Sequence, residues 1–475
     1  MLASDKTGLS MYSGDVVAHG LYMSLANIPK DVRANNSRQA WMLVAYLPTS
    51  KWPKTLRENE GLSDTAKQEL LGVLSRRLFH LSMSIVTRPL RRTIPRPLID
   101  ADGIMRQVLY ILLAYIADLE EQLWIAGLGS LCCPHCVAQS VNLGEATCRH
   151  TRSSATIIQD IEKVITRLNT LNGRADLETP LEFLRESRKY GLCGVKWPFW
   201  IDIPGIDICK VLSMDLLHGF YKLFFDHFFN WNRMGIGAAE LDARIASQIH
   251  LAGDRVFAQG VSRISQMTGK EHRDLLRTHV PSIAGAPNVW NRAVTKAIRS
   301  LVDCVYIARY KEMCELDLRE FQKCYDQLHE LKQVWIDNET RRSAPNKEVM
   351  THFNIPKFHI LRHLLEQVFG KGPLDNYSTE TMERLHIEFI KWAYRASNRR
   401  DWLQQVIDWL TRHERIEGYR RYLRHQAQQV SLHASEGQAV DAAGAQSKSI
   451  MGTRVSLFAK KEKLVLTRQK TTPKL

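Results

Sequence analysis

The amino-acid sequence predicts an α/β protein: a mixed sheet interrupted by a large α-helical insertion. Three observations carry that expectation. Two runs near the start, GLYMSLANI and AWMLVAYLP, have the apolar and aromatic make-up of strands. A further run, from Val108 to Ala117, is apolar without a break, as a strand buried on both faces is, and it stops at Asp118. Beyond Cys136 the apolar residues recur at threes and fours, the period of helices.

In chain order, Asp5-Lys-Thr precedes the turn-rich MYSGD, so a first strand lies ahead of the two just named. Together they make three sequential strands, antiparallel in the simplest arrangement. Only four residues stand before Asp5, which predicts a first strand cut short. SDTAKQELLGVLSRRLFHLSMS reads as a helix from Ser63, its N-cap, to about Ser84. TRPLRRTIPRPLID is basic and broken by proline, a loop. The central apolar run follows, ending in Asp118 with Glu120 and Glu121 just behind. A carboxylate at a strand end sits at the sheet edge, where ligands and metals can reach it.

After Cys133-Pro-His-Cys136 the chain turns helical. ATIIQDIEKVITRLNTLNG is an amphipathic helix closed by Gly173, and LETPLEFLRESRKYG is another stopped by Gly191. WPFWIDIPGIDI is a loop or short strand, MDLLHGFYKLFFDHFFNW an apolar helix, and a long helical region runs from Asn291 to about Asn338. FNIPKFHILRHLLEQVFG and YSTETMERLHIEFIKWAYRASNRRD are two more helices, the second starting at Ser378 or Thr379. The expected divisions are 1–136, the first part of a core with its CxxC knuckle; 137–350, a helical insertion; 351–425, the second part of the core; and 426–475, a polar, basic, disordered tail.

Composition narrows the function classes. A chain of 475 residues with 44% hydrophobic and 24% charged content is an ordinary globular protein with room for a large core. Its formal charge of +15 points to a polyanionic partner, nucleic acid first and an acidic membrane surface second, against the bland reading of a merely soluble basic protein. Nine cysteines without disulfide-framework spacing indicate a reducing compartment. No charged segment followed by an apolar core marks a secretory signal. The run ending at Ala117 is far shorter than the roughly 20 residues a membrane span needs, which leaves cytosol or nucleus.

Two constellations carry chemistry. Cys133 and Cys136 have the two-residue spacing that lets both sulfurs grip one zinc ion, and His359 and His363 lie four apart on one helix face. Together they make a Cys2His2 site. A local set of Cys133, Cys136, Cys148 and His150 is the rival, and two histidines facing solvent or a core is the bland reading. The second constellation is acidic: Asp5, Asp118 and Glu383. Such carboxylates hold two Mg²⁺ (or Mn²⁺) ions about 3.5–4 Å apart for phosphoryl transfer, although spacing alone does not prefer Glu383 over Glu380 or Glu388. Asp215 and His218, one helical turn apart, either order an active site, contact DNA, or simply start a helix.

The strings SDKTGLSMYSGDVVAHGLYMSLANIPKDVR, AYIADLEEQ followed by CPHC, PFW, MDLLHGF with FFDHFFNW, GVSRISQMTGKE and YSTETMERLHIEFIKWAYRASN resemble the Plavaka-type transposases, CACTA-related DDE transposases of fungal transposable elements. The resemblance runs from about Ser4 to about Glu417. It implies an RNase H-like core with a DDE triad, here Asp5, Asp118 and Glu383, holding Mg²⁺, with Asp215 and His218 at the Asp/Cys-x-x-His accessory motif. A related recombinase, the one that cuts antigen-receptor genes, carries CxxC after its second Asp and a His pair before its Glu. Cys133, Cys136, His359 and His363 occupy those places, implying structural Zn²⁺. The partners implied are transposon ends and target DNA, with no membrane, in the nucleus, through a homodimer paired on two ends. Members of the family usually carry a long region ahead of the first Asp, so an N-terminally truncated or inactive copy is expected. The alternative is a non-catalytic, zinc-stabilised DNA- or chromatin-binding protein derived from a transposase, and a helical scaffold with incidental charge is a third reading.

Overall fold

The N-terminal segment folds as an antiparallel meander in which β1 (Leu2–Gly8) pairs along its whole length with β2 (Val17–Met23), and β2 with β3 (Met42–Leu47). This computed structural model describes residues 1–10, 16–49, 52–58, 61–100, 102–147, 150–172, 179–249, 252–264, 267–286, 292–344 and 346–441, without the side chains of 171–172 and 430–441. The first strand is seven residues long, and Asp5 stands in its middle, opposite Gly20. It is ordered from its first residue because the Met1 ammonium donates to the Ser24 carbonyl oxygen at 2.8 Å and Met1, Leu2 and Ala3 are buried. A Cβ at Gly20 would come within 2.9 Å of the Tyr22 hydroxyl, so glycine keeps the position opposite Asp5 clear.

β4 (Arg96–Ile99) and β5 (Met105–Val108) pair with each other as a separate, solvent-exposed hairpin. The basic, proline-broken segment is therefore not all loop. Asp100 closes the turn, its Oδ1 accepting from the amides of Asp102 (3.0 Å) and Ile104 (2.9 Å). The expected strand over 108–117 shrinks to β6 (Tyr115–Ile116), and Leu109, Tyr110 and Ile111 are exposed rather than buried on both faces. The cause is pairing: β6 runs parallel to β1 only where Leu2 meets Tyr115 and Ala3 meets Ile116, and among the described residues no strand pairs with 109–113. β7 (Leu212–Ser213) adds in parallel beyond β6, completing a five-stranded mixed sheet in the order β3-β2-β1-β6-β7.

Strand alternation sorts the side chains of this sheet. Leu2 joins the main core with Leu21, Phe79 and Met83 of the helix Asp64–Val86, which Ser63 caps as expected. Ala3 packs on the other face with Tyr22 and with Met382 and Leu385 of the helix Glu380–His386. Helices thus cover both faces, and Asp5 shares the face of Ala3.

The segment after β6 is helical with local reasons at each end. Pro180–Arg188 and Gly269–Ile283 begin with capping boxes from Thr179 to Glu182 and from Thr268 to Glu271. Gly191, at φ +71°, turns the chain after the first of these. Gly173 and Asn291 lie outside the described residues; the long helical region resolves into Arg292–Ala308, Glu315–Leu331 and the short Val334–Asp337. Residues 216–236 form one helical stretch with two π-type turns, and Trp231, Phe224 and Phe228 bury its apolar side. The chain divides into two bodies, residues 1–406 and 407–475. The described part of the second is helical as far as Asp441, so residues 426–441 are not the disordered tail expected; alanine and glutamine there favour helix.

Candidate functional site

The cysteine knuckle is closed by two antiparallel bridges, Cys132 with Gln139 and Cys136 with Thr151. Arg152 Nε donates to the carbonyl oxygens of Cys133 (3.0 Å) and Cys136 (3.1 Å), which fixes the loop between the sulfurs. The opposing wall is the helical segment that begins at Pro356 and carries His359 and His363. Cys136 Sγ lies 3.2 Å from His359 Nε2, and Cys133 Sγ lies 3.5 Å from His363 Nε2. All four residues are buried, and their ligand atoms fall within 4.8 Å of one another.

Zinc bonded tetrahedrally to sulfur at about 2.3 Å and nitrogen at about 2.0–2.1 Å separates the two donors by about 3.6 Å. The observed separations fit that edge, so the cluster could bind a zinc ion. Glu366 Oε2 stands 3.0 Å from His363 Nδ1 and aims the opposite ring nitrogen at the sulfurs. Hydrogen bonds from Cys133, His359 and His363 drive the Cys136 thiol strongly down in spite of burial, which favours one sulfur as thiolate. The local rival set fares differently. Cys148 lies outside the described residues, and His150 is exposed and stands apart from the cluster.

The acidic residues come from three separate elements. Asp5 is in mid-β1; Asp118, two residues past β6, is the N-cap of the helix Leu119–Ala126, accepting from the Glu121 amide at 2.8 Å. Glu383 lies on Glu380–His386, the helix packed on the Asp5 face. His218 is their common neighbour. Its Nε2 is 3.7 Å from Glu383 Oε1, and its charge feels both Asp5 and Asp118. Asp5 in turn lies 3.8 Å from His386 Nδ1, one turn beyond Glu383.

The electrostatics are those of crowded acids. Burial, then repulsion from Glu121 and Asp118, pushes Asp5 up to about 7. Burial likewise raises Glu383. For His218, burial works against the charge, but the hydrogen bond and attraction of Asp215 win and lift it to about 9. Burial keeps His386 down at about 4 and hence neutral. A divalent cation would relieve the repulsion among these acids. Among the described residues, though, the only set of three or more ligand atoms within 4.8 Å of one another is the cysteine–histidine cluster, so Asp5, Asp118 and Glu383 are a looser group.

Asp215 is both a helix start and a positioning residue. Its Oδ2 accepts from the His218 amide at 2.7 Å and lies 3.0 Å from His218 Nδ1, while its Oδ1 accepts from the Thr379 amide at 3.0 Å. One carboxylate thus holds His218 and the start of the Glu383 helix together. Thr379 heads that helix without a side-chain cap, and Ser378 Oγ accepts from the Glu380 amide instead. Sequence reasoning named Thr379 only as a possible helix start and Glu121 only as an acid behind Asp118, and it missed His386 and the buried partners Ser4 and His19 beneath the acids. Ser4 Oγ donates to Glu121 Oε1, and His19 Nε2 lies 2.9 Å from the same oxygen. The available signal was Glu121 itself, three residues after an N-cap, where a carboxylate turns back toward the strand ends.

Residues 1–232 match the family model of the Plavaka transposases. No curated protein matches the chain. Among the described residues no helix is long and apolar enough to cross a membrane.

Proposed function

Because residues 1–232 belong to the Plavaka transposase family, we propose that this chain is a DDE transposase that cleaves DNA at transposon ends and joins the freed ends to target DNA in the nucleus. The family implies a DNA partner, and the excess of 65 basic over 50 acidic residues supports it. The order of three antiparallel strands continued by two parallel ones supports an RNase H-like core, with 1–136 and 351–425 as its two parts and 137–350 as an insertion.

One observation supports the catalytic reading: Glu383 Oε1 lies 3.7 Å from His218 Nε2, and the charge of His218 is also felt by Asp5 and Asp118, all distant in sequence. In this proposal the three acids would hold the divalent ions, which supply activation of the attacking oxygen and neutralisation of charge on the leaving one. Asp215 keeps His218 and the Glu383 helix in register, and His218, charged at neutral pH, presents Nε2–H toward Glu383. Cys133, Cys136, His359 and His363 would hold a structural zinc ion that ties the knuckle to the second part of the core. Two copies acting on two ends would make the working unit a homodimer.

The test is nicking of a supercoiled plasmid carrying the DNA that flanks the reading frame, with Mg²⁺ or Mn²⁺. Metal-dependent nicking lost in Glu383→Gln supports the proposal. Tight, salt-sensitive DNA binding with no nicking under either metal would leave the non-catalytic, transposase-derived DNA-binding protein in its place.

A further inference from the structure

A cavity of about 1250 Å³ opens beside the acidic face, bounded by the helices Leu119–Ala126 and Asn230–Ile236 and by parts of the segment 341–357. Its wall begins at Leu119 and Glu120, the two residues that follow Asp118. Six cations line it, Arg76, Arg188, Arg233, Arg341, Arg342 and Lys357, against two carboxylates, Glu120 and Asp226. Several have partners at hand. Arg188 pairs with Glu69 at 2.7 Å, Arg342 with Glu339 at 3.3 Å, Lys357 with Asp226 at 3.8 Å, and Arg76 donates to the Cys193 carbonyl oxygen at 3.1 Å.

Arg341 is different. It is 4% exposed, its guanidinium stacks over the Trp231 indole at 4.6 Å, and Nη1 reaches only the Met350 sulfur, at 3.2 Å. Its Nε has no hydrogen-bond partner, and among the described residues no carboxylate pairs with it. Burial holds it down at about 10, still charged at neutral pH. A buried guanidinium in the wall of a basic cavity, with no carboxylate partner among the described residues, favours an anion from outside the chain.

We propose that this cavity binds an unpaired, phosphate-bearing stretch of the DNA strand at the acidic face, with Arg341 as its phosphate anchor and Arg233 and Lys357 lining its path. The proposal rests on the DNA-cleaving reading above. The lining favours a single strand over a duplex: cations and aromatic side chains share the walls, so phosphates and exposed base faces can both be met. Unpaired nucleotides fit, and a basic channel with aromatic walls is the usual means of tracking a single strand. Half-buried Trp124, in the last turn of the helix that Asp118 caps and with Lys6 Nζ 4.2 Å from its ring, is part of such a wall.

The experiment measures fluorescence anisotropy of the full chain with a labelled, 5′-phosphorylated oligothymidylate and with a blunt duplex. Arg233→Glu and Arg341→Met are each expected to weaken oligothymidylate binding about tenfold or more and to flatten its salt dependence, with duplex affinity changed about twofold at most. Arg233 is only half-buried on its helix, so Arg233→Glu carries the test if Arg341→Met fails to fold. Unchanged oligothymidylate binding in Arg233→Glu overturns the proposal, as does equal loss with both probes. Displacement of oligothymidylate by pyrophosphate at matched charge also overturns it, because the site would then serve a free anion. A wild type that binds neither probe defeats the transposase reading itself, a separate outcome.

Discussion

At the cysteine–histidine cluster four buried ligands converge within 4.8 Å, with Arg152 fixing the cysteine loop and Glu366 backing His363, whereas at the acidic face Asp5 and Glu383 stay partly open and their proton affinities rise. The first arrangement is dry and closed, suited to a metal that never leaves. The second keeps like charges close and within reach of solvent, which costs stability and leaves room for substrate. The contrast separates a site that serves the fold from one that the fold serves. A strap joins them. Gln367 Oε1 accepts from the Met214 amide at 2.6 Å, and Lys371 Nζ donates to the Leu212 carbonyl oxygen and to Ser213 Oγ, so the helix that follows His363 holds the strand end leading to Asp215.

If the closed site is structural, breaking it should have the largest effect on stability. Cys136→Ser, or chelation of the wild type, is expected to release one zinc ion per chain and lower stability by several kcal/mol, read as zinc content together with the urea midpoint. A wild type purified without zinc, or a variant with an unshifted midpoint, would remove the distinction between the sites.

Asp215→Asn probes the acidic side. It removes the charge that holds His218 and weakens a buried hydrogen-bond network, at a cost of about 1–3 kcal/mol. Nicking should fall while zinc content stays whole. Loss of zinc in this variant would mean that the two regions are one unit.

The strap has a pH signature. Burial lowers Lys371 from its ordinary 10.5 to about 7 in the folded chain. Between those values the unfolded chain binds more protons, so stability rises with pH across that window. The wild type should therefore gain roughly 1–2 kcal/mol more than Lys371→Met between neutral pH and pH ~10, allowing for partial exposure. Parallel stability profiles for the two proteins would show that Lys371 is not a buried cation.

Legibility followed the same divide. The cysteine–histidine cluster could be read because spacing encodes it: two cysteines in one loop and two histidines four apart, with only the pairing of the halves left open. Asp118 was found through an apolar run taken for a long strand, yet only its last four residues are buried and Asp118 acts as a helix cap. The three-stranded meander was plain from composition, while the β4–β5 hairpin was hidden by Pro97 and its arginines, since a strand with both faces in solvent has no apolar alternation. Ser4, His19, Glu121 and Thr379 carry no pattern of their own. Their roles arise only when β1, β2 and two distant helices meet.

The most direct test of the central claim uses Asp118→Asn, because asparagine keeps the N-cap hydrogen bond from the Glu121 amide and removes only the charge. The account predicts that the wild type nicks end-bearing DNA only with Mg²⁺ or Mn²⁺. Asp118→Asn should fall to background at unchanged DNA affinity and melting temperature. Nicking by Asp118→Asn at the wild-type rate would contradict it.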